Sequence, residues 1–140
     1  MYARLPFQGF TLIELLIVVS MIALLTFLAY PSYSDHLIHV RRSDGQMALI
    51  EQANLLENYY FEHHTYSGAS IDESHWESPE KWYRLSFLSL DDQNYVLKAE
   101  PQKAQAHDKK CQSLTLNQLG EKGISHGPVG EPQGSIEDCW

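Results

Sequence analysis

Among 140 residues, one carboxylate stands out by its surroundings. Glu14 is the single charge between Phe10 and Tyr30, and Leu15 to Ser34 carries none. A carboxylate near the end of an apolar helix still needs a cation, and no Lys or Arg lies within a helical turn of it. It either snorkels to lipid headgroups or pairs with a cation that another chain presents at the same depth. Cys111 and Cys139 are too few for a cysteine-only zinc site but enough for one disulfide. His63, His64, His75, Asp72 and Glu73 have ligating side chains but no recognised ligand spacing. A polar loop explains them more simply, so neither metal nor cofactor is expected. Lys103, His107, Lys109 and Lys110 form the one basic cluster, interrupted by Asp108 in a chain of net charge −8. Direct nucleic-acid binding is therefore disfavoured. No Gly-x-Ser-x-Gly elbow, His-Glu-x-x-His pair or phosphate-cradling glycine loop is present, so catalysis is not expected.

The element around Glu14 is an apolar helix. Its 21 residues from Phe10 to Tyr30 would span about 31 Å, against a hydrocarbon core of about 30 Å. A secretory signal needs a shorter core and a small-x-small cleavage site, which Tyr30-Pro31-Ser32-Tyr33 does not offer. A buried core helix has too little chain around it to cover all its sides. A single membrane span fits, and Arg4 before it keeps the N-terminus in the cytoplasm. The overall averages, 44% hydrophobic and 20% charged, hide this asymmetry. His36 and His39 would sit close to the outer face, solvated or packed against a neighbour.

Gly9-Phe10-Thr11-Leu12-Ile13-Glu14-Leu15-Leu16-Ile17-Val18-Val19 resembles the cleavage and assembly motif of type IV pilins and type II secretion pseudopilins. The resemblance implies that a prepilin peptidase cuts after Gly9 and N-methylates Phe10. It further implies that Glu14 neutralises the new ammonium of a neighbouring subunit during assembly, which supplies the missing cation. Pro31 falls where the family has a helix-bending proline, with helix continuing beyond it. Ala23 stands where many members have glycine, so local melting there is disfavoured.

Residues 35–62 read as an amphipathic helix. Met47, Ile50, Ala53, Leu56 and Tyr60 form an apolar stripe, widened by Leu49 and Phe61, expected to pack on a sheet. Gly45 weakens this helix and allows a bend. Arg41 and Arg42 are expected to be solvated or to pair with acids of a neighbour. Residues 63–81 are loop-like. Period-two alternation then marks strands around 83–87, 95–99 and 113–117, with Asp91-Asp92-Gln93-Asn94 as a hairpin connection. From Gly120 onward lie five of the eight glycines, which predicts a loop held at its ends. Outside the cytoplasm a Cys111–Cys139 disulfide is favoured. Closing that stretch would stabilise the head by roughly 3–4 kcal/mol.

The order is α+β: a long N-terminal helix, partly transmembrane, packed on a small antiparallel sheet. The resemblance implies the pilin fold, with four strands and a disulfide-bounded C-terminal loop. Tyr95-Val96-Leu97-Lys98-Ala99, Cys111 to Leu116 and Asp138-Cys139-Trp140 are similar to minor pilins of the PilE-like type, although Gln112 stands where that group usually has glycine. The organisation read from the chain is a leader at 1–9, an assembly helix at 10–34, the amphipathic helix at 35–62 and a head at 63–140. The implied function is that of a minor type IV pilin, serving pilus biogenesis, adhesion, twitching motility or DNA uptake. Its implied partners are other pilins, the prepilin peptidase and the inner-membrane assembly platform. It would sit in the inner membrane with its C-terminus in the periplasm, and then in the extracellular pilus. The alternatives are a type II secretion pseudopilin and a membrane-anchored adhesin or DNA-receptor pilin.

Overall fold

A computed structural model of the protein describes residues 9–140, so most of the expected leader, with Arg4, lies outside the described residues. The elements are α1 (Leu12–His63), β1 (Tyr83–Leu90), β2 (Tyr95–Pro101), a 3-10 turn (Lys103–His107), β3 (Ser113–Asn117), β4 (Lys122–Ser125) and α2 (Ile136–Cys139). The described residues fall into two compact units, one ending at His36 and the other running from Leu37 to Trp140.

Thr11 starts α1. Its hydroxyl accepts the Glu14 N–H at 3.3 Å and its carbonyl accepts the Leu15 N–H at 3.2 Å, satisfying amides the first turn leaves open. Between Leu12 and Tyr30 the large apolar side chains are exposed. The Ser20 and Thr26 hydroxyls donate to the carbonyls of Leu16 and Ile22, at 2.7 and 2.8 Å, which removes their need for water in an apolar stretch. Among the described residues α1 is the one helix long and apolar enough to cross a membrane. It runs through Pro31 unbroken.

In the second unit α1 packs on the sheet by part of the stripe that apolar spacing predicts: Leu49, Ala53, Leu56 and Tyr60 lie in or against the core. Met47, Ile50 and Phe61 are exposed, whereas Arg42, Ala48, Leu49, Gln52 and Leu56 are buried, with Ala53 and Tyr60 at the edge. The buried face also contains three polar side chains, Arg42, Asp44 and Gln52, which a purely apolar template rejects, so the face that packs is shifted from the expected stripe. The helix does not break at Gly45. A Cβ there would lie 2.8 Å from the Tyr83 ring, so this glycine serves close approach of strand to helix.

The four strands are antiparallel in the order β1-β2-β3-β4. Leu85 faces Ala99, Ala99 faces Leu114, and Leu114 faces Ile124. Tyr83, Tyr95, Leu97, Ala99 and Leu114 thereby join Leu49, Leu56 and Tyr66 in one core. In β1 the period-two expectation holds until the register shift between Phe87 and Ser89, which leaves Leu88 exposed, whereas in β2 and β3 the expected outward positions Lys98 and Ser113 are buried as well. At the hairpin the Asp91 carboxylate accepts the Gln93 and Asn94 N–H groups at 2.9 and 2.8 Å. Those bonds hold it below the usual carboxylate range.

The segment after Gly120 departs from a plain loop. It contributes β4 and the single turn α2, where Ser135 and Asp138 form a capping box. Four residues with a central glycine carry too little pattern to read as a strand. Gly123 is needed there, since a Cβ would lie 2.6 Å from the Thr115 hydroxyl on the paired strand.

Candidate functional site

The residues expected to act in processing and assembly sit together at the start of the chain. Gly9 and Phe10 precede α1 and are exposed, and a Cβ on Gly9 would meet nothing within 4 Å. Glu14 lies in the first helical turn, also exposed. Its backbone N–H is capped by Thr11, and among the described residues its carboxylate takes part in no ion pair. A carboxylate at this end also complements the partial positive charge of the helix terminus. That local contribution is small and leaves the charge available to a cation from outside the chain.

In the second unit the two cysteines are joined, with Cα atoms 5.6 Å apart across a separation of 28 residues. Both are buried in the core. The bridge works with polar ties to α1 that the sequence did not reveal. Arg42, expected on the surface or against a neighbour, is buried and forms an ion pair with Asp108 at 2.7 Å. A second guanidinium nitrogen donates to the Asp138 carbonyl at 3.2 Å, and the Gln46 amide donates to the Cys139 carbonyl at 2.9 Å. The Gln105 amide reaches the Ile38 carbonyl at 3.1 Å and the Tyr83 hydroxyl at 3.0 Å. Gln112, the departure from glycine, has φ of 49°, a conformation that favours glycine. Its side chain is buried. It donates to the Asp108 carbonyl at 2.7 Å and accepts from Val129 N–H at 3.3 Å.

Asp44 organises the end of the loop before β1. Its carboxylate accepts the Ser78 hydroxyl, the Glu80 N–H at 3.0 Å and the Trp82 N–H at 3.4 Å. Farther along α1, Glu57 accepts the Tyr66 hydroxyl at 2.9 Å and the Tyr95 hydroxyl at 3.2 Å. Burial, then the Glu57 hydrogen bond, pushes Tyr66 up to about 12. Burial, then the Glu57 charge, raises Tyr95 as well. These phenols stay neutral donors at ordinary pH.

Two surface features remain. Trp82 carries the Arg41 guanidinium 3.8 Å from its ring centre, with the Lys103 ammonium at 5.7 Å, and Arg84 lies 5.3 Å from the Trp76 ring. Of the histidines expected in the loop, His63 instead ends α1. His63 stacks on Tyr59, and His75 stands 4.0 Å from Glu51. Among the described residues no three His, Cys, Asp or Glu side chains come together to hold a metal ion.

A helix with an apolar N-terminal half, continued by an antiparallel four-stranded sheet and a C-terminal disulfide loop, defines a pilin. The chain belongs to the family of type IV minor pilins whose model, described as "Type IV minor pilin ComP, DNA uptake sequence receptor", matches residues 31–115. The prokaryotic N-terminal methylation motif matches residues 5–30. A fimbrial protein of Neisseria meningitidis serogroup B (strain ATCC BAA-335 / MC58) is 33% identical over 61 residues, covering 44% of this chain and 36% of that protein. The chain thus matches little more than a third of that relative's length. The non-core minor pilin PilV of Neisseria meningitidis superposes with a TM-score of 0.57 at 21% identity, over 71% of this chain and 98% of that one. A type IV pilin from Shewanella oneidensis gives a TM-score of 0.49 at 28% identity, over 61% and 89%.

Proposed function

We propose that the chain is made as a prepilin, cut after Gly9, N-methylated on Phe10 and drawn from the inner membrane into a pilus by residues 10–34. Residues 35–140 stand in the periplasm before assembly. Glu14 then compensates the Phe10 ammonium of a neighbouring subunit, while a bend at Pro31 adjusts the helix. The carrying observation is Gly9-Phe10 immediately ahead of a capped, apolar α1 with one carboxylate in its first turn. The partners are neighbouring pilins, the peptidase and the assembly platform. The match of the minor pilin family to residues 31–115 favours a pilus over a secretion pseudopilus. Substituting Gly9→Val tests the scheme. The expected result is full-length protein in the membrane and none in sheared pili. A wild-type N-terminus in that variant, read by mass spectrometry, overturns it.

A second reading is DNA receptor, the activity that the family's description names. The Arg41–Trp82–Lys103 face supports it, because cations and aromatic rings together suit a polyanion. The net charge of −8 opposes it. Purified full-length pilin titrated with labelled duplex DNA decides. Salt-sensitive binding that Arg41→Ala with Lys103→Ala weakens supports this reading, and absence of binding at low salt ends it.

A further inference from the structure

We infer that the groove between α1 and the 67–79 loop receives a basic side chain, Arg or Lys, from a neighbouring subunit, an inference that rests on the chain's place in a filament. The groove consists of two hollows of about 330 and 200 Å³, and Gln52 lines both. The larger has Glu62 and Asp72 in its wall, the smaller Glu51 and Glu77. No Lys or Arg lines either hollow.

These carboxylates are weakly engaged. Glu51 has His75 at 4.0 Å and Glu77 has Lys81 at 3.9 Å, both at the limit of an ion pair. Among the described residues Glu62 and Asp72 take part in no salt bridge. Gln52 gives the independent sign of a missing donor. It is 3% exposed, and its amide oxygen has no hydrogen-bond partner. Buried acceptors are ordinarily satisfied.

The shape selects the occupant. Leu55 and Leu56 line the larger hollow, and Ala48 and Pro79 the smaller. Apolar wall with acids spread along it matches a long aliphatic stem ending in a cation. It does not match a bare metal ion, since among the described residues no three ligating side chains converge. A guanidinium brings several donors at once, for the carboxylates and for the amide oxygen.

The test uses the full-length, isotope-labelled pilin in detergent micelles. It is titrated with acetyl-Gly-Arg-Gly-amide and with the neutral isostere containing citrulline. The arginine peptide is expected to move the side-chain amide signals of Gln52 and Asn58, and the citrulline peptide to leave them in place. Changing Glu62→Gln together with Asp72→Asn, both exposed positions, is expected to weaken the arginine response about fivefold. Equal response to both peptides, no movement at Gln52 and Asn58, or unchanged affinity in the double variant overturns the inference. Cleavage after Gly9 and recovery in sheared pili are measured on the same wild-type protein. A chain that is processed and recovered but ignores arginine sinks the groove alone, whereas an unprocessed chain sinks the assembly scheme.

Discussion

The Arg42 guanidinium and the Asp108 carboxylate, 66 positions apart, meet in a two-pronged ion pair, Nε to Oδ2 at 2.7 Å and a terminal nitrogen to Oδ1 at 2.9 Å. Oδ1 also accepts the Lys110 and Cys111 N–H groups, at 3.2 and 3.3 Å. One carboxylate thus joins α1 to the segment that carries the first cysteine. Removing one partner of a buried pair strands the other charge. Arg42→Ala is expected to cost about 3–5 kcal/mol. Arg42→Lys keeps the charge but loses the planar fork, and is expected to recover only part of it. Denaturant unfolding with the disulfide intact checks both, and an Arg42→Ala loss below about 1 kcal/mol would contradict a closely engaged pair.

Gly45→Ala sets two effects against each other. Alanine favours a helix interior by about 1 kcal/mol over glycine. The new methyl, however, would lie 2.8 Å from Tyr83 Cγ and Cδ2, and overpacking of that kind costs about 1–3 kcal/mol. Tyr83 is fully buried in the core and its hydroxyl is held by Gln105, so the ring has little freedom to retreat. Net destabilisation is expected, measurable as a lower Tm. A variant more stable than wild type would mean that the strand slides away at no cost.

What the chain discloses in advance follows from which interactions are local. Three strands, the hairpin at 91–94 and the start of α1 were legible, because alternation, turn residues and apolar runs act over a few positions. The Gly9–Glu14 segment was legible as a motif. The buried face of α1 was legible only in its apolar part, Leu49, Ala53, Leu56 and Tyr60, since Arg42 and Asp44 are admitted to it by partners far along the chain. The Asp44 and Asp108 hubs were hidden for the same reason, as a lone aspartate in sequence resembles any solvated acid. Gln112 is intermediate. Its place beside Cys111 marked a departure, but the positive φ and the bonds to Asp108 and Val129 appear only in three dimensions.

Acid should loosen the C-terminal turn before the core. The Ser135 hydroxyl, then Lys110 at 3.1 Å, holds the Asp138 carboxyl below its ordinary value. A depressed carboxylate contributes stability that is complete above its unfolded pKa, near 4, and is lost as pH falls through the folded value. Amide exchange at Cys139 and Trp140, corrected for intrinsic rates, is therefore expected to gain in relative speed below about pH 4. Asp138→Asn should remove that pH dependence. Protection that stays constant down to the acid unfolding of the sheet would contradict the assignment.

Glu14 offers the cleanest separation of a local from an intermolecular role. Within the chain it sits in the first turn of α1, above the Thr11 cap, where a carboxylate is worth about 0.3–1 kcal/mol to the helix. Its removal can therefore reduce helix formation only slightly, particularly as the backbone cap does not use the side chain. Pairing with a neighbour's Phe10 ammonium among apolar helices would contribute more, since charges without partners are costly there. Glu14→Ala is expected to be cut after Gly9 and methylated normally, yet to fall more than tenfold in sheared pili relative to membranes. Glu14→Gln, which keeps the shape and loses the charge, should fall with it. Incorporation within about fivefold of wild type for both variants would match the local helix effect alone and would remove the case for pairing across subunits.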